Sequence, residues 1–288
     1  MEPKNMQTNG TPKQEQDRQP GIESRMEPLP HQPKEYKGSS KLQDKVALIT
    51  GGDSGIGRAV AITYAKEGAD VAISYWDEQD DAEETKRLVE AEGRKCLLLP
   101  GDIKDEEHCV NIVEKTVEEF GKLNILVSNA AIQYVVDDVL DISSAQFEEV
   151  FRTNFFPLFY LTKASVKHMN EGDSIIATSS INAFQGNAIF MDYSATKGAI
   201  TAWIRSIAQS LAGKGIRANS VAPGPVWTPL IPASIPADNI ENFGQSSLMG
   251  RPGQPSEHAW AYVMLASDES SYMTGQTIHI NGGKYTSS

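Results

Sequence analysis

Tyr193 and Lys197 stand four positions apart in Tyr193-Ser194-Ala195-Thr196-Lys197. On a helix this spacing puts two side chains on one face, with the ammonium near the phenol. A phenol of pKa about 10 exchanges protons poorly at neutral pH. A cation beside it favours phenolate, and a downward shift worth about 2.7 kcal/mol would suit general acid–base work. A lone pair at this spacing is a common accident of amphipathic helices. It gains weight from Ser180, which falls at the end of the preceding predicted strand. Ile200, Trp203, Ile204, Ile207 and Leu211 then give the helix a buried face.

A second group of residues suits a phosphate ligand. Thr50-Gly51-Gly52-Asp53-Ser54-Gly55-Ile56-Gly57 follows the apolar run Val46-Ala47-Leu48-Ile49 and opens an amphipathic segment. Glycines there permit a tight turn and let a diphosphate approach the amides at a helix N-terminus. The Gly-x-x-x-Gly-x-Gly spacing departs from the usual dinucleotide fingerprint, so the loop draws its meaning from the strand before it and the helix after it.

Both groups require a scaffold that gathers loops at one end. From Lys45 onward the chain alternates strand, loop and helix. Strands are predicted at 45–50, 70–75, 96–99, 124–128, 174–179, 217–221 and 277–280. Helices are predicted at 56–67, 78–92, 145–169, 192–212 and 256–267, and Val110, Val113, Val117 and Phe120 mark another that ends at Gly121. This pattern predicts an α/β fold: a single Rossmann-type, doubly wound domain with a seven-stranded parallel sheet. Its ligands belong beyond the carboxyl ends of the strands.

The 288 residues are 40% apolar and 22% charged, with a net charge of -12. That length accommodates one large domain or two small ones. The acidity disfavours nucleic acid or an anionic membrane as a partner. No stretch reaches the roughly 18 to 20 apolar residues of a membrane span. Two cysteines, Cys96 and Cys109, lie in different predicted elements, so neither a disulfide framework nor a Cys-rich zinc site is expected. No metal is expected, and a reducing, cytoplasmic setting fits. Residues 1–40 hold six of the fifteen prolines and six apolar side chains, Met1, Met6, Ile22, Met26, Leu29 and Tyr36. Such a segment cannot build a core. The predicted division is an extended arm over 1–40 and a catalytic domain over 41–288, with the arm lying across its own or a neighbouring subunit.

Taken in order, the motifs resemble those of the classical short-chain dehydrogenase/reductase family over residues 41–285. Thr50 to Gly57 is similar to its cofactor loop, Gly101-Asp102-Ile103 to its adenine contact, and Asn154, Ser180, Tyr193 and Lys197 to its catalytic tetrad. Pro223-Gly224 and Thr228 match the nicotinamide-side loop, and Asn281-Gly282-Gly283 the C-terminal turn. Ser128-Asn129-Ala130-Ala131 departs from the family's Asn-Asn-Ala-Gly, with Ala131 expected to need a modest local adjustment. The resemblance implies hydride transfer between a nicotinamide cofactor and the carbon of a small alcohol, aldehyde or ketone. Tyr193 would give or take the proton. Lys197 would lower its pKa and hold the nicotinamide ribose, Ser180 would hydrogen-bond the substrate oxygen, and Asn154 would hold a relay water. Cofactor contacts are expected from Gly51, Asp53, Ser54, Gly55, Ile56, Gly57, Tyr75, Trp76, Asp102, Ile103, Asn129, Ala130, Tyr193, Lys197, Pro223, Gly224, Val226 and Thr228.

An acidic residue at the end of strand two would bind an NAD ribose, and a basic one the extra phosphate of NADP. Here that end reads Ser74-Tyr75-Trp76-Asp77, with Arg58 close in sequence. The reading is NAD or NADP, with an inclination to NAD. Residues 225–250 form a long insertion suited to a lid. Gln133, Ile181, Asn182, Gln185, Phe190 and Trp227 are the expected substrate-pocket residues. A 3-oxoacyl-carrier-protein reductase is an alternative, weakened by Tyr160 and Gln209 where that subfamily carries basic docking residues. A non-catalytic dinucleotide-binding regulatory protein is another. The family resemblance also implies a homotetramer.

Overall fold

The computed structural model describes residues 11–286, so the first ten residues of the expected arm lie outside the described residues. Seven short segments rich in Val, Ile, Leu and Ala pair in one sheet. They are β1 (Val46–Thr50), β2 (Asp70–Tyr75), β3 (Cys96–Pro100), β4 (Ile125–Ser128), β5 (Ser174–Thr178), β6 (Arg217–Pro223) and β7 (Thr277–Ile280). The order is β3-β2-β1-β4-β5-β6-β7, and every pairing is parallel. Strands β1, β5 and β6 are buried along their whole length because helices cover both faces of the sheet.

Successive strand residues point to opposite faces, and each face has its own core. On one face Ala47 and Ile49 pack with α1 (Gly55–Lys66), α2 (Gln79–Glu90) and α10 (Ser256–Ala266). On the other, Leu48 packs with α3 (Glu106–Phe120), α5 (Phe156–Ser165) and α7 (Met191–Leu211). Fully burying one Leu or Ile contributes about 1.5–3 kcal/mol. Both thiols are spent in these layers, Cys96 in β3 and Cys109 in α3, and burial pushes each up to about 12.

The helix expected over 145–169 is two helices, α4 (Ser144–Asn154) and α5, meeting at Phe155. Pro157 falls in the first turn of α5, where its missing N–H costs least. The break places Asn154 at the end of α4, next to the strand ends. Between β5 and α7 lies the single turn α6 (Asn182–Gln185), and the 225–250 insertion contains α8 (Leu230–Ser234) and α9 (Ala237–Ile240).

Residues 11–40 run across this same chain. The Thr11 amide donates to the Glu241 carbonyl, and the Gln16 amide to the Pro232 carbonyl. Met26 joins Phe190, Tyr193, Trp227, Ile231, Ile235 and Ile240 in a third apolar cluster. Farther on, the Glu67 carboxylate at the end of α1 accepts from the Ser39 and Lys41 amides at 2.8 and 2.9 Å and from the Tyr36 hydroxyl. Among the described residues no helix is long and apolar enough to cross a membrane.

Candidate active site

In parallel β1, β2 and β4 the carboxyl ends lie level, Thr50 opposite Ser74 and Ile49 opposite Val127. The chain leaves β1 for β2 on one side and later returns to β4 on the other, which opens a crevice between the two loops. A cavity of about 530 Å³ occupies this position. Asn129 ties its floor together. Its amide donates to Thr50 Oγ1 at 2.9 Å, its carboxamide donates to the Thr50 carbonyl at 3.2 Å, and its Oδ1 accepts from Thr178 Oγ1 at 3.0 Å. One side chain thereby links the ends of β1, β4 and β5.

The glycine loop is shaped for close approach. Gly51 has φ +62°, and a Cβ there would sit 3.1 Å from the Ala130 Cα. A Cβ on Gly57 would strike the Gly51 carbonyl, so this glycine permits α1 to pack on the loop and does not itself line the cavity. Among the described residues the Gly55 amide has an acceptor, Glu23, whereas the Ile56 amide has none, and Ile56 lines the cavity. A helix N-terminus with a free amide facing a glycine cradle fits a dinucleotide diphosphate. Of the expected cofactor residues, Gly51, Asp53, Ser54, Gly55, Ile56, Tyr75, Trp76, Asp102, Ile103, Asn129, Ala130, Pro223, Gly224, Val226 and Thr228 all line the cavity. Ala131 lines it too, so the fourth-strand exit accommodates the extra methyl at the cavity wall.

Tyr193 and Lys197 lie in the first two turns of α7, which directs both toward the end of β5. The Lys197 Nζ donates to the Thr178 carbonyl at 2.8 Å and stands 5.3 Å from the centroid of the Tyr193 ring. Burial pushes the Tyr193 phenol up to about 12, with a hydrogen bond to Ser180 pulling the other way. Burial also lowers the Lys197 ammonium to about 7. Burial thus moves the phenol in the direction opposite to the lowering expected from its lysine. Desolvation acts on both groups, and the ammonium lies over the ring and not against the hydroxyl. Ser180, Tyr193 and Lys197 share the cavity wall. Asn154 does not. Its carboxamide accepts from the Ile132 amide and donates to the Ile132 carbonyl, both at 2.9 Å, and donates to Thr196 Oγ1 at 3.2 Å. It pins the β4 exit to α7 from behind.

At the β2 end, Arg58 is not free to meet a phosphate. It is 5% exposed and donates to Glu23, to the Asp53 and Asp81 carbonyls and to Thr85. Two of the charged groups at this end, Glu78 and Lys104, are ones that the sequence pattern did not single out. Glu78 accepts from the Trp76 and Asp77 amides, both at 3.2 Å, and burial plus the nearby Asp53 raises its carboxyl to about 7. Burial raises Asp53 itself to about 6. Lys104 stands 5.4 Å from the Trp76 ring centroid and 3.4 Å from Asp102. Cation and carboxylates thus coexist at this end, and the inclination to NAD over NADP gains no support.

Gln133, Ile181, Asn182, Gln185 and Phe190 line the cavity near Tyr193. Trp227 is a correction. It is wholly buried and its indole N–H donates to the Pro28 carbonyl at 2.8 Å, so it anchors the arm behind the wall. Gln19, Pro20 and Gly21 line the cavity from the arm, and Asn239 and Asn242 from the insertion. The Pro20-Gly21 pair was the available signal in the arm, but a polar, proline-rich composition carries no information about where it docks.

The sequence profile of a family described as Enoyl-(Acyl carrier protein) reductase matches residues 51–285. The chain is 59% identical over 288 residues to an uncharacterized oxidoreductase, YhdF, of Bacillus subtilis (strain 168), covering 100% of both chains. It is 50% identical to NADPH-dependent aldehyde reductase 1, chloroplastic, of Arabidopsis thaliana, covering 94% of this chain and 97% of the relative. It is 48% identical to glucose and ribitol dehydrogenase of Daucus carota, covering 94% and 96%. A short-chain dehydrogenase from Burkholderia cenocepacia J2315, solved in complex with NADP, superposes with a TM-score of 0.80 at 30% identity, covering 85% of this chain and 99% of that one.

Proposed function

The chain belongs to the classical short-chain dehydrogenase/reductase family of NAD(P)-dependent oxidoreductases, and from that premise we propose that Tyr193 is its acid–base residue, acting on a small alcohol, aldehyde or ketone. The observation that carries this reading is the shared wall: Ser180, Tyr193 and Lys197 border the same cavity as the glycine loop. When bound, the dinucleotide supplies the hydride acceptor or donor. The chain's residues do the rest. Gly51, Ser54 and Ile56 would hold the diphosphate at the start of α1, with Asn129 fixing the loop, and Pro223, Gly224, Val226 and Thr228 would wall the nicotinamide.

A phenol pushed up to about 12 stays protonated at neutral pH, so Tyr193 is ready to donate to a carbonyl oxygen. Ser180 offers a second hydrogen bond to that oxygen as charge develops on it. Lys197, lowered to about 7, can take up or release a proton near neutrality beside the Tyr193 ring. The carboxamides of Gln133, Asn182, Gln185, Asn239 and Asn242 offer donors and acceptors for further hydroxyl groups. This favours a hydroxylated substrate, in keeping with the relative named glucose and ribitol dehydrogenase.

The test is a substrate panel of polyols and simple aldehydes with NAD(H) and NADP(H), followed at the nicotinamide absorbance. The Tyr193→Phe variant should lose about 100-fold or more in kcat while still binding the dinucleotide. Near-normal turnover in this variant would overturn the role. We also propose a homotetramer, supported by the exposed Phe147 and Phe159 on α4 and α5. Light scattering should report four copies, and a monomer at assay concentration would sink that reading.

A further inference from the structure

Glu23 lies in the arm and is 2% exposed, although no enzyme core surrounds it in sequence. One carboxylate oxygen accepts from the Gly55 amide at 2.5 Å. The other accepts from Arg58 Nη1 at 2.5 Å and from Gln32 Nε2 at 2.9 Å. Ser54, the residue immediately before α1, makes no side-chain bond to the helix amides. A carboxylate brought from the arm therefore performs the capping that a local side chain usually supplies, at the positive end of the helix dipole.

An anion so close to a diphosphate site would repel the ligand if it stood alone. Arg58 neutralises it and extends the contact. Its Nε donates to the Asp53 carbonyl at 2.8 Å and its Nη2 to the Asp81 carbonyl at 2.9 Å. The Asp81 carboxylate in turn accepts from the Glu23 and Ser24 amides at 2.6 and 3.2 Å. The arm, the 53–58 turn and the start of α2 form one buried unit. Four residues earlier, Gln19 clamps the backbone of Gln133, donating to its carbonyl at 2.9 Å and accepting from its amide at 3.1 Å. Gln19, Pro20 and Gly21 thereby become part of the cavity wall.

We propose that Glu23 is a positioning residue for the cofactor site: by holding the Gly55 amide and Arg58, it sets the turn that presents the Ile56 amide to the diphosphate. The proposal rests on the dinucleotide-binding reading above. It separates two kinds of arm contact, those at the cofactor turn and those that merely fasten the arm. Glu67, which fastens residues 36–41 at the opposite end of α1, is the matched control.

The experiment uses the full chain and measures NADPH and NADH dissociation constants by nicotinamide fluorescence, with kcat at saturating cofactor and thermal midpoints. Glu23→Ala should weaken dinucleotide binding about tenfold with kcat at saturation within about twofold. Glu23→Gln, which keeps an acceptor for Gly55 but loses the charge facing Arg58, should fall between. Glu67→Gln should lower the thermal midpoint and leave both dissociation constants unchanged. Should Glu23→Ala not fold, Glu23→Gln and hydrogen exchange on the wild type carry the test. Exchange at residues 19–23 and 55–57 should slow when NADPH saturates the protein. Unaltered affinity in both Glu23 variants, or unaltered exchange on saturation, overturns the proposal while leaving the oxidoreductase reading intact. A wild-type protein that binds neither dinucleotide overturns both.

Discussion

Burial sets the proton affinities of Tyr193 and Lys197 in opposite directions, leaving a protonated phenol and a lysine that titrates near neutrality. The same force acts on Asp53 and Glu78, raised to about 6 and about 7 from the ordinary carboxylate range. For these two the folded values lie above the unfolded ones. The stability they contribute is present below about pH 4 and is lost as pH rises through about 6 and 7. Lys197 works the other way, since its folded value is lowered and its burial becomes less costly as pH rises through about 7. Comparing a variant with the wild type isolates one group from this overlap. Asp53→Asn should gain on the wild type, by a difference of about 1.4 kcal/mol between pH 5 and pH 8. Urea unfolding at the two pH values checks it, and an unchanged difference would show that Asp53 is not the group responsible.

Among the elements, the four-residue spacing and the glycine loop were legible because each is a local signal, read within one helix or one strand-loop-helix unit. The break between α4 and α5 is hidden in the sequence, because apolar periodicity runs through Phe155 and Phe156 and masks the single effect of Pro157. Trp227 was misplaced for a related reason. A large apolar side chain in a lid-like insertion suits a pocket or a core equally well, and the Pro28 carbonyl that fixes its indole lies 199 positions away. Trp227→Phe keeps most of the packing and loses that hydrogen bond. It should cost about 1 kcal/mol and leave the substrate KM unchanged. Denaturant melts with parallel kinetics would check this, and a large rise in KM would return Trp227 to the cavity.

At the scale of the whole molecule, the arm is integral to the domain it crosses. It adds Met26 to an apolar cluster that includes Tyr193 and Trp227, and it supplies the carboxylate facing the buried Arg58. Removing residues 1–29 would strip that partner from Arg58 and leave it Asp81 at 3.4 Å, a change that costs at most about 3–5 kcal/mol for buried pairs. For a domain of this size the thermal midpoint should fall by roughly 10 °C. A scanning-calorimetry trace that matches the full chain would show that the arm is dispensable.

The sequence by itself determined the parallel α/β architecture and put Tyr193 and Lys197 on one helix face after the strand that ends near Ser180, because strand and helix periodicity and short motifs are written in neighbouring residues. Tertiary structure alone decided which groups lose water and which distant segments meet. Proton affinity depends on burial, and burial is a property of the assembled layers. The same reason separates Glu23 from its site: the carboxylate and the Gly55 amide it caps stand 32 positions apart in the chain, and only the folded path of the arm brings them within 2.5 Å.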